Sequence, residues 1–529
     1  MSPYFYLYHI FQMHVFCHNE TTLGEITTTL VRAGSCLLCI LRHLGVRSPH
    51  FYCRPWKDIE AYVLSLLPST VKENGSAESN THPFAIVNKP CTLCLGILQE
   101  HSTKEFFEKI KEQGDKEDFQ YSSFIASLTV PVCAILRQHS MLLFLKDTHK
   151  SVYEDKEDTD IPSIKDVWKW RNGPVLGQVL GASFDQKSQF DILLNFSYPE
   201  SDRECGFLLD LKPDIFKKRK ISKKSKKFGW ETFTRANVNK VLTTIPDNVF
   251  RSKFQCPPPV PAKICSCTIS ICHDALYVAG RYNKYSRLLS QTPWVVDGGR
   301  KGETSVEELI CTLIDQLFKP DEHRFSSSGR EDVDVRMLGS GRPFIVELIN
   351  PHKVKFSQQD LTNLQRKINE STEDIKVRDL QMVSKEDTLA LKEGETEKIK
   401  SYLAVCWTED PVPDEKLEQL SQIQDLKVQQ NTPIRVLHRR PLATRERVIH
   451  TMSATRIDDH HFQLHLSTQA GTYIKEFIHG DFGRTVPNMT TLLDMDCDIL
   501  ELDVESVELD WPKKLEEGEE TTALSDKRV

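Results

Sequence analysis

Three consecutive prolines, Pro257, Pro258 and Pro259, stand near the middle of this 529-residue chain. Such a triplet can neither continue a helix nor sit in a central strand, so it marks a boundary. Helical and strand patterns alternate before it, and a mixed sheet with helices is expected after it. The chain therefore reads as α+β throughout, with an accessory domain over residues 31–255 and a larger domain over 260–512. Residues 1–30 are taken as an N-terminal extension of uncertain status, because the first seventeen are aromatic-rich and carry no acid, lysine or arginine. They lack the basic start and cleavage site of a signal peptide. Residues 513–529 read as an acidic, disordered tail.

The element pattern supports this division. Before the prolines, a helix is expected ahead of Cys36 and another over 95–110, with strands over 124–132 and 190–197 and a charged loop over 146–160. After them, residues 268–271 and 275–282 read as a hairpin around His273 and Asp274. Ser305 and Glu308 have capping-box spacing. Val306, Leu309, Ile310, Leu313, Ile314 and Leu317 then recur at helical intervals. Further strands are expected over 343–349, 376–383 and 402–408, a helix over 361–368, a hairpin over 448–468, and a helix from Tyr473 to Phe477.

Charged residues at 27% and hydrophobic ones at 39% describe a soluble globular protein, and no apolar run approaches the ~20 residues of a membrane span. The net charge of −7 does not exclude RNA binding, because that needs a basic surface and not a basic total. Fifteen irregularly spaced cysteines point to a reducing compartment. Two Cys-x-x-Cys pairs, Cys36/Cys39 and Cys91/Cys94, could together give zinc four tetrahedral thiolates in a structural role. Unrelated cysteine pairs or a redox motif are the alternatives.

Chemistry concentrates in Gly329-Arg-Glu-Asp-Val-Asp-Val-Arg336. On an extended segment, Val333 and Val335 would point one way and Asp332 and Asp334 the other. Nearby arginines would keep a carboxylate ionised, and an ionised carboxylate can act as a nucleophile. A charged strand edge beside a glycine turn is the plainer reading of the octet alone.

The longer run Phe325-Ser-Ser-Ser-Gly-Arg-Glu-Asp-Val-Asp-Val-Arg-Met-Leu-Gly-Ser-Gly-Arg-Pro-Phe344 resembles the Gly-Arg-x-Asp region of pseudouridine synthases. It is closest to family ten, the archaeal and eukaryotic enzymes of the tRNA TΨC loop. The resemblance spans roughly residues 32–512 and is dense from Gly280 onward. It implies a zinc-containing accessory domain with a THUMP-like unit, then a synthase domain that isomerises uridine at tRNA positions 54 and/or 55 without an organic cofactor. On this match Asp332 is the catalytic aspartate and Arg330 flanks it. Tyr402 resembles the active-site tyrosine. Tyr473, in Gly471-Thr-Tyr-Ile474, belongs to the uracil pocket, and Lys475 pairs with the aspartate where many relatives have arginine. Four-cysteine sites are common in the family, which favours zinc at Cys36, Cys39, Cys91 and Cys94.

Three basic clusters suit RNA. Arg281, Lys284 and Arg287 lie among tyrosines, and Arg435, Arg439 and Arg440 lie on a second stretch. Residues 217–227 form a dense basic run that reads as a nuclear localisation signal or an RNA-binding tail. The expected partner is tRNA, with other structured RNAs such as primary microRNA beside it, no membrane, and a monomeric state. Nucleus and cytoplasm are the expected compartments, with the mitochondrion a further one. Two other classes compete. One is a mainly non-catalytic RNA-binding or processing factor. The other is a metal-dependent nuclease on Asp332 and Asp334, for which no further ligand-spaced carboxylates or histidines lie nearby.

Overall fold

The computed structural model describes residues 15–68, 89–216, 232–296, 298–389, 391, 398–438 and 440–515. Arg439 and the basic run 217–227 lie outside the described residues. The chain divides into two compact units, Met1–Cys272 and His273–Val529.

The first unit has a four-stranded sheet of Ser123–Thr129 (β1), Ser183–Phe184 (β2), Phe190–Ser197 (β3) and Ser266–His273 (β4), in the order β2-β1-β3-β4. β1 runs parallel to both β2 and β3. Alternate residues of β1 and β3 are buried, as expected for strands packed on one face. The helix Glu20–Arg32 belongs to this core: Leu23, Ile26 and Leu30 are almost fully buried. Phe16 donates its N–H to Leu44 and packs edge-on against Tyr153. Residues 15–30 are thus part of the fold and not an appended extension. The stretch expected to be a loop over 146–160 begins inside the helix Cys133–Thr148, whose Leu145 is buried.

The second unit is built on a mixed ten-stranded sheet. Its strands are Leu276–Lys284 (β5), Glu322–Ser327 (β8), Arg336–Ile349 (β9), Ile375–Val383 (β10), Lys400–Thr408 (β11), Gln424–Asn431 (β12), Thr444–Arg456 (β13), His461–Thr468 (β14), Thr485–Val486 (β15) and Cys497–Val507 (β16). A separate ribbon joins Val295–Val296 (β6) to Gly299–Arg300 (β7). The main order is β10-β5-β9-β16-β11-β14-β13-β12-β15, with β8 also paired to β9. Only the β9–β16 pair is parallel among the described pairs of this sheet. The helices Val306–Phe318, Gln358–Ser371, Asp414–Gln422 and Ile474–His479 bury apolar faces in its core. Ser305 caps the first of them by accepting the N–H of Glu308, as its spacing predicts.

Two expectations change here. β4 and β5 lie in different sheets and form no hairpin. Residues 260–272, placed after the proline boundary, belong to the first unit and supply its last strand.

Candidate active site

The Gly-Arg-x-Asp octet, up to Val335, is a loop between β8 and β9, not a strand. Val335 N–H donates back to the Asp332 carbonyl at 3.1 Å, so a turn replaces the expected valine–aspartate alternation. Gly329 opens it at φ +87°, a conformation that L side chains rarely adopt. A Cβ there would also meet Lys400 Nζ at 2.8 Å and Arg342 Nη1 at 3.0 Å. The left-handed backbone is what favours glycine here, and the two cations crowd the same side.

The loop is fastened from beneath by buried polar groups. Arg342, 2% exposed, donates Nε to Glu331 at 2.7 Å and Nη1 to the Ser328 carbonyl at 2.7 Å. Tyr282 donates its hydroxyl to the other Glu331 oxygen at 2.7 Å. Gln291 donates to Tyr282 Oη, Ser327 Oγ and the Gly329 carbonyl. A buried carboxylate is tolerated when it is paired and hydrogen-bonded in this way. Glu331, one residue before Asp332, therefore fixes the backbone that presents it.

Lys284 supports the same loop. Its ammonium is buried and donates to the carbonyls of Leu289 at 2.7 Å, Asp332 at 3.0 Å and Val333 at 2.9 Å. Burial pushes its pKa down from 10.5 to about 8, against the opposing charges of Glu331, Asp334 and Asp332. Arg287 donates to the carbonyls of Asp334 and Leu502 and pairs with Glu501 and Asp503. Arg281 is buried and donates to the carbonyls of Ser340, Gly341, Val507, Leu509 and Trp511. These three cations were expected to meet RNA. The structure instead turns Arg281 and Lys284 into the core and gives the donors of all three to backbone and carboxylates. Burial and hydrogen bonding take Arg281 and Lys284 away from the surface, whereas Arg287 is 26% exposed and is engaged by backbone and carboxylates.

Above the loop, Asp332 is about one-third exposed and Asp334 about two-thirds. Arg435 donates Nη1 to Asp332 at 2.8 Å and Nε to the buried Glu476 at 2.6 Å. Burial alone would lower the Arg435 pKa, but Glu476, then Asp332, hold it charged. Arg435 sits on the short 3-10 turn Ile434–Val436 in the loop from β12 to β13. Lys475 lies 3.8 Å from Asp332 and 2.7 Å from Asp334. Burial raises the Asp334 pKa, but the Lys475 contact, a backbone hydrogen bond and the Lys284 charge together hold the group below its ordinary value. The expected lysine–aspartate pair is thus shared, with the shorter contact going to Asp334 and the guanidinium of Arg435 on Asp332.

Tyr473 is the N-cap of the helix Ile474–His479. The buried Gln430 side chain clamps its backbone on both sides, accepting its N–H and donating to its carbonyl at 2.9 Å each. Tyr402 on β11 is half-buried against the sheet core. Burial raises its phenol, and the Arg342 charge opposes that. Arg330 is exposed and touches Thr292 Oγ1 at 3.3 Å. Arg440 is exposed.

Glu331, Arg342, Gln291, Gln430 and Glu476 were not singled out from sequence. Glu331 and Arg342 lay inside the quoted Gly-Arg-x-Asp run and Glu476 directly follows Lys475, whereas nothing local marks Gln430.

In the first unit, Cys36, Cys39, Cys91 and Cys94 come together, all buried, with their four sulfurs within 4.8 Å of one another. Cys36 caps the helix Leu37–His43, and Cys39 lies in its first turn. Thr92 N–H bonds the carbonyl of Gly34, which is held at φ +79°, and this joins the two turns. Cys91 Sγ accepts the N–H groups of Cys36 and Leu93, and Arg42 donates to Cys39 Sγ. Donors aimed at sulfur suit thiolates better than thiols. A cavity of about 950 Å³ also lies in this unit, lined in part by His139, Lys146, Lys165 and Arg235. It contains none of the residues around Asp332.

Comparison with known proteins bears on both units. The family model described as Pus10, C-terminal, matches residues 277–508. The model described as Eukaryotic Pus10, N-terminal, matches residues 91–272. The human protein named tRNA pseudouridine synthase Pus10 is 42% identical over 527 residues, covering 93% of this chain and 98% of its own. The Xenopus laevis protein of that name is 44% identical over 519 residues, covering 94% and 99%. The namesake from Thermofilum pendens is 41% identical over 236 residues, covering 44% of this chain and 52% of its own. Among solved structures, a chain of a Cbf5-Nop10-Gar1 complex overlaps 42% of this chain and 47% of its own, at a TM-score of 0.25 and 15% identity. An overlap that weak carries no argument about fold. The two family models and the near-full-length vertebrate relatives leave one assignment: the chain belongs to the Pus10 family.

Proposed function

We propose that this protein isomerises uridine to pseudouridine in tRNA, with Asp332 as the catalytic aspartate. The observation that carries this is the Asp332 carboxylate, raised on a loop fixed by Glu331 and Lys284 and met from above by Arg435 and Lys475. It stands in a chain whose full-length relatives are named tRNA pseudouridine synthases.

The target base must leave its stack to reach this carboxylate, at a cost of a few kcal/mol. Asp332 then initiates glycosidic cleavage, the freed uracil turns while held, and the sugar carbon re-bonds to a ring carbon. The ring carbon that bonds the sugar gives up its proton and the former glycosidic nitrogen takes one, so the isomerisation balances without a co-reactant. Tyr402 and Tyr473 enclose the base, and Arg330 stands at the rim. Arg435 pairs with Asp332, and Lys475 bridges Asp332 and Asp334. Arg440, with Arg439 next to it in sequence, takes phosphates.

The finer reading follows the family resemblance. The target is the TΨC loop at positions 54 and/or 55. The first unit is an RNA-binding accessory domain of THUMP-like type. Its four cysteines fit structural zinc: four buried sulfurs close together leave no open position, and N–H groups point at them. Zinc there would staple two segments and take no part in isomerisation. The basic run 217–227 would serve nuclear entry. Mapping pseudouridine in tRNA from cells with and without this protein tests the proposal: loss of a TΨC-loop pseudouridine supports it, and unchanged maps overturn it.

A further inference from the structure

Phe482 is 95% exposed, the highest value for a large apolar side chain among the described residues. Its backbone is in the left-handed region, at φ 55°, directly after Asp481 at φ 45°. Glycine adopts this conformation readily, but a Cβ makes it costly. Two consecutive residues held there, one of them a phenylalanine projecting into solvent, mark a turn kept against its local preference.

The turn is held firmly. The Asp481 carboxylate accepts the N–H of Ile434 at 3.3 Å and lies 3.5 Å from Arg484 Nε. Arg484 donates to the Thr432 carbonyl at 2.7 Å, and its own carbonyl accepts the Asn431 N–H at 2.9 Å. These bonds fasten residues 480–484 to the loop whose next residue, Arg435, bonds Asp332. Phe482 therefore projects from the rim of the candidate active site. Ile434, Leu437 and Leu442 on the same loop are 47%, 40% and 77% exposed, and the exposed His438 and Arg440 lie between them in sequence.

Apolar side chains beside an exposed histidine and arginine do not suit a purely apolar partner. They suit a polyanion with unpaired bases, where cations take phosphates and an aromatic ring takes a base face. We propose that Phe482 stacks on an unpaired nucleobase of the RNA beside the flipped uridine. This rests on the tRNA-modifying reading and adds to it a second, non-reacting base site.

The test uses the full-length protein, an unmodified tRNA transcript, and versions of that transcript with single abasic nucleotides flanking the modified uridine. Phe482→Ala and Phe482→Gly are each expected to weaken transcript binding about 10-fold or more, the scale of one base–aromatic stack, while Phe482→Trp retains it. Phe482→Gly is also expected to melt no lower than wild type, because glycine relieves the left-handed strain; weaker binding by a protein at least as stable cannot be a folding defect. With one of the abasic transcripts the Phe482→Ala penalty should vanish. Wild-type affinity in Phe482→Ala, or an equal penalty on every abasic transcript, would overturn the stacking site while leaving an active synthase. A wild-type protein that makes no pseudouridine in tRNA would remove the functional reading and this inference together.

Discussion

The guanidinium of Arg435 donates to the Asp332 carboxylate across 2.8 Å, joining segments 103 residues apart. Glu476, almost wholly buried, holds the other side of the same guanidinium. On the proposed reading Arg435 therefore positions the aspartate, where its sequence context suggested a phosphate contact. Arg435→Ala is expected to lower the single-turnover rate about 10–100-fold, the scale of a misplaced reacting group, with a smaller change in tRNA affinity. Arg435→Lys keeps charge without the fork and should fall between, as should Glu476→Gln. If Arg435→Ala changes only affinity and its salt dependence, Arg435 is a phosphate ligand instead.

Lys284 is expected to set an alkaline limit on the reaction. Its pKa is lowered to about 8, chiefly by burial, while in the unfolded chain it keeps an ordinary lysine value. Between about 8 and 10.5 the unfolded chain binds more protons, so this group's contribution to stability rises with pH across that window. Activity should move the other way. Loss of a proton removes one of the donors that hold the Asp332 and Val333 carbonyls. The single-turnover rate is expected to fall as pH passes about 8, and Lys284→Met should be slow at every pH without that step. A wild-type rate that stays flat to pH ~10 would separate Lys284 from the catalytic loop.

How far the sequence revealed this depends on how local each signal is. The helix Val306–Phe318 was legible because its cap and apolar spacing lie within its own residues. Asp332 was singled out only through the resemblance, and its loop was not legible: the valine alternation suggested a strand, and the glycine turn prevails. The fates of Arg281 and Lys284 were not legible. Basic residues among tyrosines look solvent-facing, yet the carbonyls that bury Arg281 lie 59, 228 and 230 residues away in sequence. β4 and β5 failed as a hairpin for a related reason, since local patterning does not set which sheet a strand joins. Convergence of the two cysteine pairs was anticipated from spacing.

Elemental analysis should find one zinc per chain. Cys91→Ser should lose the metal and lower the melting of the first unit by on the order of 10 °C, consistent with a loss of a few kcal/mol in a domain of this size. The second unit should keep its own transition. Well-folded protein without zinc would remove the metal assignment and leave the isomerase reading intact.

The roles of the two aspartates are separated most sharply by single-turnover conversion of one tRNA uridine, mapped at nucleotide resolution, for wild type, Asp332→Asn and Asp334→Asn. Both side chains are solvent-accessible, and only Asp332 is also paired with Arg435, so either amide should be tolerated by the fold. Asp332→Asn is expected to bind tRNA and form no detectable pseudouridine. Asp334→Asn, which loses its contact with Lys475, should remain active at a rate reduced about 10-fold. Near-normal pseudouridine formation by Asp332→Asn would show that another group initiates the reaction.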